Sequence, residues 1–273
     1  MRVFDWSARP AERRVTVAAL REGKGTPARH AQVTLATPAE AVAAQAAGIE
    51  MGICRAASVP VIRQAAPDMF LTAALGFDAA VEGEAVLRNA IDALVSGADA
   101  VLCTRRLAVV ELLASEGVPV MGHLGFVPRK STWTGRIRGV GRTPEEAATL
   151  WQAFRDLENA GAFAAEAELV AAPLLAEITR RSSLVTVSLG SGGGGDVIFL
   201  FSEDICGTSS RRPRHARSYG DLATLERRLE EDRTRAFRAF RDDVAAAAYP
   251  APAEEIALPD ADILLDTVFD RGR

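Results

Sequence analysis

Two side chains in this sequence have the type and setting to move protons on a bound small molecule. His123 sits in Gly122-His123-Leu124-Gly125, directly after the apolar run Val118–Met121, and Glu168 ends the mostly apolar run Phe163–Glu168. An imidazole titrates near neutrality, and a carboxylate at the end of an apolar run is costly unless it is paired or used. Gly122 and Gly125 let the backbone approach a ligand or adopt positive φ, which makes Gly122 a candidate binding position. The structural alternatives are a histidine packed under a loop and an ion-paired glutamate. Glu166 competes with Glu168, because alternation along a strand puts both on one face.

Arg55, Arg105 and Arg106 also follow apolar runs. Guanidinium groups bind carboxylates in two-point fashion, although arginines on exposed loops are equally consistent with the pattern. The run Gly190-Ser191-Gly192-Gly193-Gly194-Gly195 matches neither the P-loop nor the dinucleotide fingerprint. It reads as an anion cradle, with Gly190 and Gly192 as substrate contacts, or as a flexible loop. Cys54 and Cys103 end apolar runs close to arginines, where a thiolate is favoured, but cysteine is also among the most often buried residues.

Elements that position these groups recur almost from end to end, as short apolar runs alternating with Ala-rich amphipathic stretches. Strands are expected at Val33–Ala36, Glu50–Cys54, Phe70–Ala74, Ala100–Cys103, Val118–Met121, Phe163–Glu168, Leu184–Ser188 and Val197–Phe201. Between them, Thr37-Pro38 with Glu40 and Thr143-Pro144 with Glu145 and Glu146 carry helix-start signatures. Gly97, Gly117 and Gly161 mark helix ends. The alternation implies parallel βα units, and 273 residues suit a (β/α)8 TIM barrel in a single domain, which takes about 250. Its active site forms at the carboxyl ends of the strands, where His123, Glu168, Arg55 and Arg105 fall. The expected organisation is an N-terminal segment over 1–29, the barrel over 30–248 and a C-terminal tail over 249–273. The basic stretch Arg129–Gly141 reads as a loop over the barrel mouth.

A formal net charge of −4 excludes a general affinity for nucleic acid or anionic membrane. The run Arg211–Arg217 is a local exception and reads as a solvated or phosphate-facing loop. Three scattered cysteines form no disulfide framework. No stretch reaches about 18 consecutive apolar residues, and no apolar leader is evident. A reducing, cytoplasmic setting is expected, with a small molecule as partner and no membrane or nucleic acid.

Several blocks together resemble a known family. Val118-Pro119-Val120-Met121-Gly122-His123-Leu124-Gly125-Phe126-Val127-Pro128 is similar to the V-P-V-x-G-H-L-G-L-x-P segment of ketopantoate hydroxymethyltransferase, in the phosphoenolpyruvate mutase/isocitrate lyase superfamily. Arg63–Asp68 through Leu75-Gly76-Phe77, Leu157–Ala162, Glu168-Leu169-Val170 and Leu189–Gly192 with Asp196 and Asp204 resemble further family blocks in the same order. The likeness covers roughly residues 30–255. It implies a (β/α)8 barrel, an oligomeric assembly, and transfer of a one-carbon unit from methylenetetrahydrofolate to the α-carbon of a 2-oxo acid, assisted by Mg2+. It also implies a general-base role for Glu168.

The resemblance breaks at the implied metal ligands, which fall on Ile53/Cys54, Ala74 and Thr104. None is a carboxylate, and Mg2+ requires hard oxygen donors, so no metal or other cofactor is expected at these positions. Arg55, Arg105 and Arg106 lie near the lost acids and would hold a carboxylate or enolate instead. The expected activity is aldol-type C–C bond formation or cleavage on a small oxo acid or related carbonyl compound, in the manner of pantothenate biosynthesis. The alternatives are a paralogue without catalysis, serving binding or assembly, and a metal-free lyase or hydrolase with a new substrate.

Overall fold

Eight of these short runs become the staves of one closed parallel barrel. The computed structural model describes residues 1–76, 82–259 and 261–269, so Phe77 lies outside the described residues. Two N-terminal strands, β1 (Arg2–Phe4) and β2 (Pro10–Glu12), pair antiparallel as a separate hairpin. The barrel follows with β3 (His30–Thr34), β4 (Met51–Arg55), β5 (Phe70–Ala74), β6 (Ala100–Leu102), β7 (Val120–Gly125), β8 (Ala164–Glu168), β9 (Val185–Leu189) and β10 (Val197–Leu200). The order is β10-β3-β4-β5-β6-β7-β8-β9, with β10 closing onto β3. The fold is therefore the expected (β/α)8 TIM barrel.

Strand alternation divides the core in two. Met51, Ile53, Phe70, Leu102, Met121 and Val187 fill the inside of the barrel. Val33, Leu71, Ala73, Val101, Val120 and Ala165 face outward against the helices. Alanine at so many outward positions lets helix and sheet backbones approach closely. Thr37 caps the helix Pro38–Ala46 in a capping box with Glu40, and Thr143 caps Pro144–Asn159, both as their sequences specify.

The strands point their amino ends at a stopper. Val15 and Leu20, around the helix Val17–Glu22, join Met51 and Phe70 in the inner cluster. Asp99, just before β6, fastens this segment: its Oδ1 accepts from Arg13 Nε at 2.6 Å, and its Oδ2 accepts from Arg63 Nη2 at 2.7 Å and the Leu71 amide at 2.8 Å. Arg63 spends its other donors on the carbonyls of Gly97, Ala66, Pro67 and Met69.

Two expectations are corrected. The strand expected at Val118–Met121 does not stop at Met121: β7 runs through Gly125, with His123 opposite Glu166 and Gly125 opposite Glu168. Gly125 takes φ 92°, and a Cβ there would collide with the Glu168 carbonyl. The glycine-rich run is a tight return and not a loose loop. It returns the chain from β9 to the parallel neighbour β10 with no helix between, where about a dozen residues is usual. Cβ atoms at Gly194 and Gly195 would lie 2.7 Å from Ala176 Cβ and 2.9 Å from Ser188 Cβ. Only glycine threads the gap between β9 and the helix Ala172–Arg181.

The chain divides by contacts into Met1–Gly220 and Asp221–Arg273. The second unit holds the helix Leu222–Ala245, a turn at Pro252–Glu254 and the helix Ala261–Phe269. Tyr249 packs edge-on against Phe240 at 5.4 Å between ring centroids. Among the described residues, no helix is long and apolar enough to cross a membrane.

Candidate active site

Strand register decides which polar groups meet at the barrel mouth. His123 on β7 and Glu166 on β8 are direct neighbours, and Glu168 lies one inward step further along β8. Carried on two rigid strands, the three converge. His123 Nε2 lies 3.1 Å from Glu168 Oε2 and 2.9 Å from the Phe126 carbonyl oxygen, while Nδ1 lies 3.5 Å from Glu166 Oε1. A carbonyl oxygen accepts only, so Nε2 carries a proton. The Phe126 amide returns a hydrogen bond to the Glu168 carbonyl at 2.8 Å, which locks the loop after β7 onto the end of β8.

The electrostatics follow from burial. Glu166 is 4% exposed, and its Oε2 has no hydrogen-bond partner. Burial pushes its carboxyl up to about 7, the His123 charge opposes that rise, and Glu168 adds to it. For His123, burial favours the neutral ring, but the Glu168 hydrogen bond, the Glu166 charge and the Phe126 carbonyl together raise its pKa above the ordinary value. Both shifts favour the protonated forms of His123 and Glu166. Its three residues offer ligand atoms within 4.8 Å of one another, but Nε2 is already committed as a donor.

Two cavities meet at this cluster. One, of about 600 Å³, is the barrel mouth itself, lined by Ile53, Arg55, Ala74, Leu102, Glu166 and Phe199 among others. The second, of about 800 Å³, lies beside β7 and is lined by Thr104, Arg105, Arg106, His123, Arg129 and Lys130 among others. A third, of about 810 Å³, lies at the opposite end near Arg13, Arg63 and Gly97, away from the carboxyl ends of the strands. Arg105 Nη2 donates to the Gly76 carbonyl at 3.4 Å, beyond β5, and Arg129 donates to the Thr104 carbonyl, beyond β6. Arg55 opens into the mouth cavity, and its side chain makes no ion pair among the described residues.

The remaining sequence candidates fall elsewhere. A Cβ at Gly122 would lie 2.5 Å from Leu157 Cδ2, so this glycine faces the helical layer. Gly190, at φ 66°, abuts Leu169 and the His215 ring, and Gly192 abuts Ala172. Cys54 and Cys103 are buried in the outer core. Burial raises both thiols, Cys54 to about 11, which removes the activated-thiolate reading. Glu166, left in sequence as a competitor of Glu168, is a full member of the site; alternation was its signal.

A parallel eight-stranded barrel with an ionisable cluster at the carboxyl ends of its strands places the protein in the class of (β/α)8 barrels with a site at the mouth. Solved structures agree. A 2,3-dimethylmalate lyase of the phosphoenolpyruvate mutase/isocitrate lyase superfamily superposes with a TM-score of 0.51 at 13% identity, covering 93% of this chain and 99% of that one. A phosphonopyruvate hydrolase in complex with oxalate and Mg2+ gives 0.50 at 13%, covering 94% and 100%. At these identities the likeness is one of fold.

Within that class the chain belongs to the ketopantoate hydroxymethyltransferase family, whose signature matches residues 45–252. The 3-methyl-2-oxobutanoate hydroxymethyltransferase of Caldivirga maquilingensis is 32% identical over 198 residues, 71% of this chain and 72% of that protein. The Pyrobaculum islandicum protein of the same name is 33% identical over 171 residues, 62% and 63%. That of Thermobifida fusca is 36% identical over 146 residues, 54% and 50%. The chain thus spans between half and about three quarters of these relatives' lengths.

Proposed function

We propose that this protein catalyses aldol-type C–C bond formation or cleavage on a small 2-oxo acid or related carbonyl compound, using its own side chains where the family uses Mg2+. The observation that carries this reading is His123 held between two carboxylates at the barrel mouth. Glu168 Oε removes the proton on the carbon next to the carbonyl, and the electron pair moves to the carbonyl oxygen as an enolate. His123 is a positioning residue, fixing the base through Nε2–H. Glu166 sets the charge on His123 from behind. Arg55 and Arg105 bind the carboxylate and balance the enolate.

The Mg2+ implied by the family does not fit at the positions where the family holds it. Ile53 and Ala74 are apolar, and Cys54 is turned into the outer core. Thr104 offers one hydroxyl, buried and without a partner. One hydroxyl is not a donor set for a hard dication, and Arg55 and Arg105 would repel it, so no step is assigned to the metal.

The test is exchange of the C3 proton of 3-methyl-2-oxobutanoate for deuterium in D2O, followed by NMR. Exchange catalysed by the protein and unchanged by a chelator is expected. Exchange that needs added Mg2+ overturns the reading.

An assembly role is also favoured by one feature: Leu222, Leu225, Leu229, Phe240 and Val244 recur at helical spacing on Leu222–Ala245 and are all exposed. Such a stripe suits a homo-oligomer contact. A monomeric mass by light scattering would remove that role.

A further inference from the structure

The barrel mouth is chemically two-sided. His123, Glu166 and Glu168 stand on β7 and β8. An apolar side is contributed by Ile53 on β4, Ala74 on β5, Leu102 on β6, Phe199 on β10 and Phe201 just past it, all of which line the mouth cavity. These strands follow one another round the barrel in the order β10-β3-β4-β5-β6, so the wall occupies an arc that β7 and β8 leave open. Thr34, the polar side chain that β3 adds, is spent on Ser202, whose amide donates to its Oγ1 at 2.8 Å. Ile53, Leu102 and Phe199 are buried members of the inner cluster and Phe201 packs against it, which fixes the wall. Phe199 and Phe201 meet edge to face, with 5.3 Å between ring centroids. Ala74 is in register with Arg55 on one side and Leu102 on the other, so only a methyl group stands in the wall beside the guanidinium-bearing residue.

We propose that this wall selects a substrate with a large apolar side chain, of phenyl size or more, on the molecule whose carboxylate Arg55 holds. A cavity of about 600 Å³ is that of a site for a drug-sized ligand, and a short-chain oxo acid would leave most of the wall against water. Covering apolar surface is favourable in proportion to its area. A ring laid against Phe199 and Phe201 adds the edge-to-face or offset contact that aromatic groups prefer. The five wall side chains offer a hydroxyl or charge on the ligand no partner, so a polar side chain of the same size is rejected. With its carboxylate at Arg55 and its apolar body on the wall, the ligand leaves its remaining face to the Glu166 side of the cavity. That the ligand is a 2-oxo acid rests on the activity proposed above; the preference of the wall for a large apolar group does not.

The experiment is isothermal titration of the full chain with two carboxylates that carry no keto group, 3-methylbutanoate and 4-phenylbutanoate. The phenyl compound is expected to bind about tenfold more tightly or better. Ala74→Leu, which fills the wall beside Arg55, and Phe201→Ser, which removes a ring, are each expected to cancel most of that preference while leaving 3-methylbutanoate little changed. Phe237→Ser, at an exposed position of the helix Leu222–Ala245, is expected to leave it intact. No preference for 4-phenylbutanoate, or a preference that survives both Ala74→Leu and Phe201→Ser, would overturn the proposal. Phe201→Leu, expected to lose a smaller part of the preference, provides the same comparison if the serine variant does not fold. Deuterium exchange into 2-oxo-4-phenylbutanoate and 3-methyl-2-oxobutanoate separates the two readings. Exchange into neither, with the binding preference intact, removes the reaction and keeps the wall; exchange into 3-methyl-2-oxobutanoate without any binding preference removes the wall and keeps the reaction.

Discussion

The barrel buries two clusters of charge, one at each end, and they are built to opposite specifications. At the base, Asp99 receives two arginines and a backbone amide, and Arg63 saturates four carbonyls. At the mouth, Glu166 keeps an oxygen with no partner, and its nearest approach to His123 is a loose 3.5 Å. A saturated buried network is a fastening, because every donor has already been spent. An unsaturated one stores unfavourable desolvation that a substrate or a proton can relieve, which is how perturbed groups come to mark sites of reaction. Position alone does not distinguish the two; hydrogen-bond completeness does.

The sharpest way to break this contrast is at the base of the proposed reaction. Glu168→Gln keeps shape and loses the proton acceptor, so deuterium exchange should fall by about two to four orders of magnitude, with the far-UV spectrum unchanged. A variant that exchanges normally would return the mouth cluster to architecture. Asp99→Ala should do the reverse, costing about 3–5 kcal/mol of stability by stranding Arg13 and Arg63, read by urea unfolding. Mouth chemistry should survive it wherever the protein stays folded.

A smaller effect concerns pH. Glu166 is raised in the folded protein, to about 7 from 4.5, so on unfolding it releases its proton at lower pH than when folded. Its contribution to stability is full below about 4.5 and is lost as pH rises through about 7. Across that window Glu166→Gln should flatten the decline by at most about 1.4 kcal/mol per pH unit. His123, also raised, adds loss in the same direction above its ordinary value, and that part should shrink in the Gln variant without vanishing, because the Glu168 hydrogen bond remains while the Glu166 charge is gone. An unchanged profile would mean that Glu166 is not held in its proton-binding state by burial.

Arg55→Ala tests the cationic side of the mouth and should lower kcat/KM for the oxo acid about tenfold, through both KM and kcat, as for a lost charge-assisted contact to the carboxylate and the enolate. Least of all, alkylation of Cys54 and Cys103 should be slow in the native protein and track unfolding, since both thiols are buried and raised.

Much of the barrel was legible because its strands and helices follow simple periods. Phe70–Ala74 has the bounds that the sequence implies, and the helix Pro38–Ala46 starts where Thr37-Pro38 signals it. What escaped was whatever depends on partners distant in sequence. Gly122 and Gly125 read as lying past the strand because glycine weakens a strand on its own, yet pairing with β8 carries β7 straight through them. The glycine-rich return escaped because a parallel crossover without a helix breaks the usual length rule, and only the packing of Ala176 and Ser188 explains it. The hairpin of β1 and β2 is too short for any period to register. Each member of the mouth cluster could be named from its position at a strand end, but the insertion of His123 between the two acids is a matter of register, which no single strand contains.

The stopper formed by Val15 and Leu20 has a kinetic corollary. A barrel plugged at its base works as a cup, so whatever enters by the mouth must leave by it. Product then occupies the doorway that the next substrate needs. Inhibition by product of the proposed reaction should therefore be competitive with substrate.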